Sequence, residues 1–440
     1  MLRTPLAALV VLLARAVRWG FYRRVEMVGR DRIPSKGPVL VVANHYNGLI
    51  DAVLVVASLG RLPRFVAKST LGDNPLVRML LRALGVVLVR RPEDGAGGSG
   101  ASANEAMFAE TSRALADGHT VVIFPEGTTH DRPSLARIRT GAARMALMAD
   151  AVVADDVTIV PMGITYYDKI SVRSSALVTV GAPIRVRDAI ATDPSTPGVV
   201  AGGPDADTVD LLTAEIDTRL RRVSPDYDDG IEWASAEFAA DLYLRTDTER
   251  SPAFDSRDVV VRHLRGMPEV DRDAALDIVS TYVLALAATG VDDDMVLGED
   301  TFRRSFKPLV IATLVLTVLS PLSTFGLTVN AAPVAFTMAS GLLTSKPFMK
   351  GTFRALAALV TFPIAWITAA VVLADAFWFQ VGIIGLCILG LIVVIAAIES
   401  AILLVEAALD WRRSLERRVP IRALRDRRAA MVTEFEQALR

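Results

Sequence analysis

The chain is poor in the residues that most often carry covalent and metal chemistry. Of its 440 residues, one is cysteine and four are histidine. Cys387 has no partner for an internal disulfide and sits in an apolar run, which excludes a multi-thiolate metal site and favours a reducing compartment. No Gly-x-Ser-x-Gly nucleophile elbow occurs, so covalent catalysis through a serine or cysteine nucleophile is disfavoured. Aromatic residues make up 6%, and no basic run is interleaved with them, so no nucleic-acid partner is expected. What is abundant is apolar: 52% hydrophobic residues exclude a disordered chain and argue against a single soluble domain.

The net charge of −1 hides a segregation. Residues 1–36 hold eight basic residues against two acids, residues 188–300 nine arginines against 26 acids, and residues 411–440 nine basic residues against four acids. Basic ends around an acidic middle point to anionic lipid at the ends. Near the start, residues 6–13 are apolar and are followed by Arg15 and Arg18, the pattern of an interfacial amphipathic helix. A signal peptide is the rival reading, because Arg3, the apolar stretch and Ala14-Arg15-Ala16 imitate its three parts.

Three stretches carry no charge: 308–345, 355–374 and 376–398. A bilayer core takes about 20 apolar residues as a helix, so at least two spans are expected. Pro321 and Asn330-Ala-Ala-Pro333 interrupt the first stretch, which suggests a hairpin whose second arm is short and could be re-entrant. Lys346, Lys350, Arg354, the tail arginines 412, 413, 417 and 418, and Arg303-Arg304 with Lys307 then fall on one side, the cytoplasmic one by the positive-inside rule. Two hairpins with Asn330 to Pro333 and Asp375 at their far ends satisfy this.

Short β-rich runs at 39–43, 64–67, 86–89, 120–124, 158–161 and 177–180 alternate with helical patterns, which predicts an α/β fold: a mixed sheet flanked by helices. The expected organisation is an interfacial segment (1–34), the α/β domain (35–190), a Pro/Gly-rich linker (191–207), an acidic helical region (208–306), transmembrane or re-entrant hairpins (307–405) and a basic cytoplasmic tail (406–440).

The most informative local feature is Asn44-His45-Tyr46-Asn47-Gly48-Leu49-Ile50-Asp51 after the first of these runs. Asn47-Gly48 signals a turn, and a helix follows. A carboxylate in the first helical turn can reach back to one nitrogen of a histidine on the turn, fixing its tautomer and raising its basicity. Another run ends in Phe124-Pro125-Glu126-Gly127-Thr128-Thr129-His130-Asp131-Arg132, where proline stops the ladder and glycine lets backbone amides approach a ligand. His130 and Asp131 have no convergent partners, so they read as structural and no metal is expected.

In order, Asn44-His45…Asp51, Gly85-Val-Val-Leu-Val-Arg-Arg91, Phe124-Pro-Glu-Gly-Thr128 and Ile159-Val-Pro-Met-Gly163 resemble the four motif blocks of the glycerolipid acyltransferases that use acyl thioesters. The likeness covers about residues 35–186. Five residues between His and Asp, and the continuation Thr129-His130-Asp131-Arg132, look like the glycerol-3-phosphate/dihydroxyacetone-phosphate branch. So, more weakly, do Tyr166-Tyr-Asp-Lys169…Arg173-Ser174, Gly181-Ala-Pro183, Asn330-Ala-Ala-Pro333 and Lys350-Gly351-Thr352. Thr128 and Arg139 depart from the Gly and Lys usual in that branch, which bears on the acceptor more than on the reaction.

The resemblance implies a membrane-bound O-acyltransferase with His45 as general base and Asp51 orienting it. Arg91, Glu126, Gly127, Thr128, Arg139 and Arg173, with Lys68 and Lys169 as further candidates, would bind the acceptor and its phosphate. Glu126 would bond a glycerol hydroxyl or hold a basic side chain. The expected partners are acyl-CoA or acyl-carrier protein as co-substrate, glycerol phosphate or a lysophospholipid as acceptor, and the bilayer, with no cofactor. A lysophospholipid acyltransferase and a non-catalytic lipid-binding scaffold are the alternatives.

Overall fold

In the computed structural model of the protein, the apolar runs between residues 39 and 180 are strands of one sheet. The structure describes residues 5–68, 73, 78–79, 86–89, 100–132, 134–153, 155–191, 204–227, 230–245, 252–289, 291, 293–297, 317, 320–416 and 421–440. Two compact units divide the chain: Met1–Gly230 with Lys346–Thr352, and Ile231–Ser345 with Phe353–Arg440.

The first unit is an α/β layer. Its strands are β1 (Tyr22–Val28), β2 (Val39–Ala43), β3 (Arg64–Lys68), β4 (Val87–Val89), β5 (Thr120–Ile123), β6 (Thr158–Tyr166), β7 (Ser174–Val180) and β8 (Ile184–Arg185), ordered β1-β7-β6-β2-β5-β3-β4 with β8 on β6. Pairing is parallel except where β7 and β8 meet β6. Every residue of β2 and β5 is buried, and uninterrupted apolar runs are what strands covered on both faces require. Because Val42 pairs with Ile123 in parallel register, the turns after β2 and β5 emerge side by side at the carboxyl edge of the sheet, where open α/β sheets place ligands.

Helices α1 (Pro5–Phe21), α2 (Leu49–Leu59), α3 (Gly100–Ala116), α4 (Gly141–Asp150), α5 (Val186–Ala191) and α6 (Ala206–Arg221) belong to this unit. Helix α1 buries Val11 and Ala14 against Val56 and Ala57 of α2 and leaves Leu6, Leu9, Leu12 and Trp19 exposed, an amphipathic face like that expected of an interfacial helix.

Two expected boundaries move. Strand β1 joins the sheet beside β7, so the layer starts before residue 35; its alternating Arg24 and Glu26 suit an edge strand and give no apolar run to read. Helix α6, expected in the acidic region, packs Val209, Leu212, Ile216 and Leu220 into the core of the first unit and is capped by Asp205, which accepts the Thr208 N–H at 2.9 Å.

The second unit is helical: α7 (Gly230–Leu244), α8 (Phe254–Gly266), α9 (Glu269–Thr289), α10 (Asp293–Leu297), α11 (Ser320–Ser340), α12 (Pro347–Leu373), α13 (Phe377–Glu416) and α14 (Ile421–Ala438), with α7 and α12 starting in residues of the first. Segments Ser320–Leu343, Pro347–Leu373 and Phe377–Ile402 are long and apolar enough to cross a membrane.

The expected first hairpin is corrected. Asn330-Ala-Ala-Pro333 lies inside α11 and makes no tip, because the Asn330 amide closes polar groups within the helices: it donates to Gly326 O (2.8 Å) and Cys387 O (3.2 Å) and accepts Trp366 Nε1–H (2.9 Å). Gly326 and Gly390 let α11 and α13 touch, since a Cβ on Gly326 would lie 2.5 Å from Gly390 O. Residues 301–316, where a further arm was expected, lie outside the described residues, as do Arg417 and Arg418. The turn at Asp375 falls between α12 and α13 as expected.

The tail is not simply a lipid-facing arm. Helix α14 buries Leu424, Met431 and Phe435, and Arg428 donates to Asp293 (2.8 Å) and to the carbonyls of Leu242 and Arg245, so part of its charge answers the acidic helices.

Candidate active site

Strand β2 must stop at Ala43 because residues 44–48 turn into α2 through Gly48, whose φ of +54° suits glycine. Asn44 pins the exit: its amide donates to Ile164 O (2.9 Å) and accepts Ile164 N–H (2.6 Å) on the neighbouring β6. His45 follows, with Nδ1 2.8 Å from Asp51 Oδ2, as the spacing expected. Asp51, in the first turn of α2, is fully buried; Oδ2 also accepts Asn47 N–H (2.7 Å), and Oδ1 accepts the Tyr166 hydroxyl from β6.

The proton on Nδ1 is thereby directed to the carboxylate, which leaves Nε2 as the acceptor nitrogen. Among the described residues Nε2 has no protein partner, and the His45 side chain keeps 19% of its surface exposed. Phe124 stacks on the imidazole with centroids 4.1 Å apart and planes at 13°. The site can therefore take a proton at one aimed nitrogen.

Of the two tasks expected of Glu126, on the turn after β5, the structure shows the holding of a basic side chain, His130, and adds a hold on the His45 backbone. Glu126 is 2% exposed; Oε1 accepts His45 N–H (2.7 Å), while Oε2 accepts Ala136 N–H (2.9 Å) and lies 2.5 Å from His130 Nε2. His130 Nδ1 accepts Arg132 N–H at 3.3 Å, which puts the ring proton on Nε2, toward Glu126. Glu126 thus holds the backbone of His45, and His130 holds Glu126. The Gly127 N–H is likewise spent, on Phe124 O at 3.0 Å, and does not serve an anion. Gly127 (φ +69°) instead makes room for Arg139, since a Cβ would lie 2.9 Å from Arg139 Nε. Thr128 is exposed beside it.

Arg173 is drawn elsewhere: its guanidinium donates to Trp19 O (2.6 Å) and Tyr22 O (3.3 Å) at the end of α1. Lys169 pairs with Asp131, and its carbonyl accepts the Asn47 amide at 3.2 Å. Arg91 and the side chain of Lys68 lie outside the described residues. Among the described residues no three His, Cys, Asp or Glu side chains converge as a metal site would need.

Sequence reading missed the parts set by long-range register, above all Tyr166 as a donor to Asp51 and His130 as the partner of Glu126. Burial, then the nearby Asp51 charge, raises the Tyr166 phenol well above its usual range; burial and then Glu126 do the same to Tyr46. Both remain neutral hydroxyl donors, Tyr46 to Pro225 O at 2.9 Å.

These strands and helices define the class as an α/β domain that holds a histidine against a buried carboxylate at the carboxyl edge of a mostly parallel sheet. The comparisons narrow it. Residues 24–165 match the Acyltransferase family model. Lysophosphatidylcholine acyltransferase 2 of Rattus norvegicus is 33% identical over 132 residues, 30% of this chain and 23% of that protein. Glycerol-3-phosphate O-acyltransferase 2 of Saccharomyces cerevisiae is 40% identical over 114 residues, 24% of this chain and 14% of that protein. Lyso-ornithine lipid O-acyltransferase of Rhizobium meliloti is 35% identical over 127 residues, 28% of this chain and 39% of that protein. The matches thus span well under half of each relative. A solved 1-acyl-sn-glycerophosphate acyltransferase from Thermotoga maritima aligns over 48% of this chain and 76% of that chain at 19% identity, with a TM-score of 0.35, so the fold rests on the strand order above.

Proposed function

We propose that the protein moves a fatty acyl group from acyl-CoA, or an acyl-carrier protein, to a hydroxyl of glycerol-3-phosphate or a related glycerol phosphate. The observation that carries this reading is His45 with Nδ1 on buried Asp51 and Nε2 open. Nε2 takes the hydroxyl proton as the acceptor oxygen attacks the thioester carbonyl; the C–S bond then breaks, the thiolate leaves, and the imidazolium returns a proton to it. Thiolate is a good leaving group, so one base and good positioning suffice. Arg139, beside Gly127, would meet the phosphate, which a guanidinium recognises with paired donors. The apolar helices keep the product in the bilayer, and the basic residues around Lys346 and in the tail favour a cytoplasmic catalytic domain.

The test is full-length protein in detergent or lipid, one labelled acyl-CoA and a panel of acceptors. Glycerol-3-phosphate or dihydroxyacetone phosphate should be acylated, and His45→Ala should lower turnover about 10²–10⁴-fold. The relatives named for lysophospholipids support a second reading: transfer to lysophosphatidate with no transfer to either glycerol phosphate would replace the first. Unchanged turnover in His45→Ala would remove the base.

A further inference from the structure

The turn that carries His45 is completed by a residue about 300 positions away. Helix α2 has no side-chain cap of its own, because its N-cap is Gly48. Each N–H of a first helical turn needs an acceptor from outside the helix. Ile50 N–H finds Asn47 O at 3.0 Å. Leu49 N–H finds the hydroxyl of Thr352, also at 3.0 Å, from the segment Lys346–Thr352 that packs in the first unit.

The fit there is tight on both sides. A Cβ on Gly48 would lie 2.6 Å from Thr352 Oγ1, and a Cβ on Gly351 would lie 2.9 Å from Ile50 Cγ1 and 3.0 Å from Asn47 Oδ1. The same turn delivers Asn47 N–H to Asp51 Oδ2, the oxygen that faces His45 Nδ1. A shift of Gly48 and Leu49 therefore moves the carboxylate that aims the imidazole.

We propose that Thr352 is a positioning residue for the His45–Asp51 pair, capping α2 from outside through its hydroxyl while Gly351 provides the close approach. It touches neither reacting atom and acts through the turn. The catalytic consequence rests on the acyl transfer proposed above. The contact has its own test.

The experiment uses the full-length protein with Thr352→Val, which keeps the shape and loses the acceptor, and Thr352→Ser, which restores a hydroxyl. Loss of one net hydrogen bond should speed hydrogen exchange in the peptide covering 44–51 by about 2- to 12-fold in the valine variant, with the serine variant near wild type. In transfer assays valine should lower kcat by about tenfold or more with donor and acceptor KM held within about twofold, and serine should recover most of it. Unchanged exchange in the valine variant refutes the contact, and faster exchange with wild-type kcat refutes the positioning role. A kcat loss that serine does not restore also refutes it. If the wild-type protein acylates no acceptor, the proposed function falls, while exchange in 44–51 still decides whether Thr352 holds the turn.

Discussion

Replacing Asp51 by asparagine separates charge from geometry at the proposed base. The carboxylate is fully buried and accepts three hydrogen bonds, from His45, from Asn47 N–H and from Tyr166. An asparagine can keep its oxygen toward His45 and Asn47 while its NH₂ donates to the Tyr166 oxygen, so the turn survives and the charge is lost. Once His45 holds the acceptor proton, the wild-type imidazolium faces a carboxylate oxygen 2.8 Å from Nδ1. At an effective dielectric of about 20 and about 4 Å between charge centres, that attraction is about 4 kcal/mol. The asparagine dipole keeps part of it, and a net loss of about 2–3 kcal/mol corresponds to about a 30- to 150-fold fall in kcat. Stability should move the other way or not at all, because removing a buried charge also removes its desolvation cost. Initial rates at saturating donor and acceptor, paired with a thermal melt of the same sample, read both quantities. A fall in kcat of less than about fivefold with an unchanged melt would refute the electrostatic role of Asp51. A large loss of Tm would make Asp51 a folding residue instead.

Glu126→Gln keeps an acceptor for His45 N–H and loses the charge facing His130; because Glu126 holds the backbone of the proposed base, kcat should fall about tenfold with acceptor KM steady. A raised acceptor KM at normal kcat would return Glu126 to the acceptor site. Asn330→Leu removes the contacts to Gly326, Cys387 and Trp366 and should destabilise the helical unit by about 1–2 kcal/mol, read as a lower unfolding midpoint in mixed micelles; an unchanged midpoint would refute it.

What could be read from the sequence was local or continuous. His45 and Asp51 are six residues apart across one turn, so their contact needed no knowledge of the sheet. Strands β2 and β5 are unbroken apolar runs. Strand β1 escaped because its charges alternate, as an edge strand allows. For Glu126 the sequence leaves two partners open, a glycerol hydroxyl or a basic side chain; its bonds to His45, 81 residues away, and to Ala136, ten away, follow from the β2–β5 register and cannot be read locally. Arg173 looked like a phosphate ligand, yet the open carbonyls at the end of α1 capture it. Asn330 and Pro333 signal a turn by the rules that hold in water. Inside an apolar helix the same asparagine serves as an interhelical bond.

The polar groups around His45 form one connected set, and that connection fixes where a proton can move. Tyr22 and Tyr166 border Asn47 and Asp51, Asp51 holds His45 from one side, and Glu126 with His130 holds it from the other. A buried polar network is costly unless its members are paired, and a paired one is stiff. Burial, then the Asp51 charge, raises the phenols of both Tyr22 and Tyr166 far above their usual range, so neither becomes a phenolate that could compete as a base in mildly alkaline solution. Asp51 is closed off from solvent, and the Glu126 carboxylate is committed to two backbone amides and a ring N–H. His45 Nε2, which has no protein partner among the described residues, is left as the atom that the proposed transfer uses to take the hydroxyl proton. The long-range contacts that the sequence did not reveal are thus what fix a common His/Asp spacing in one orientation, the one that the proposed base requires.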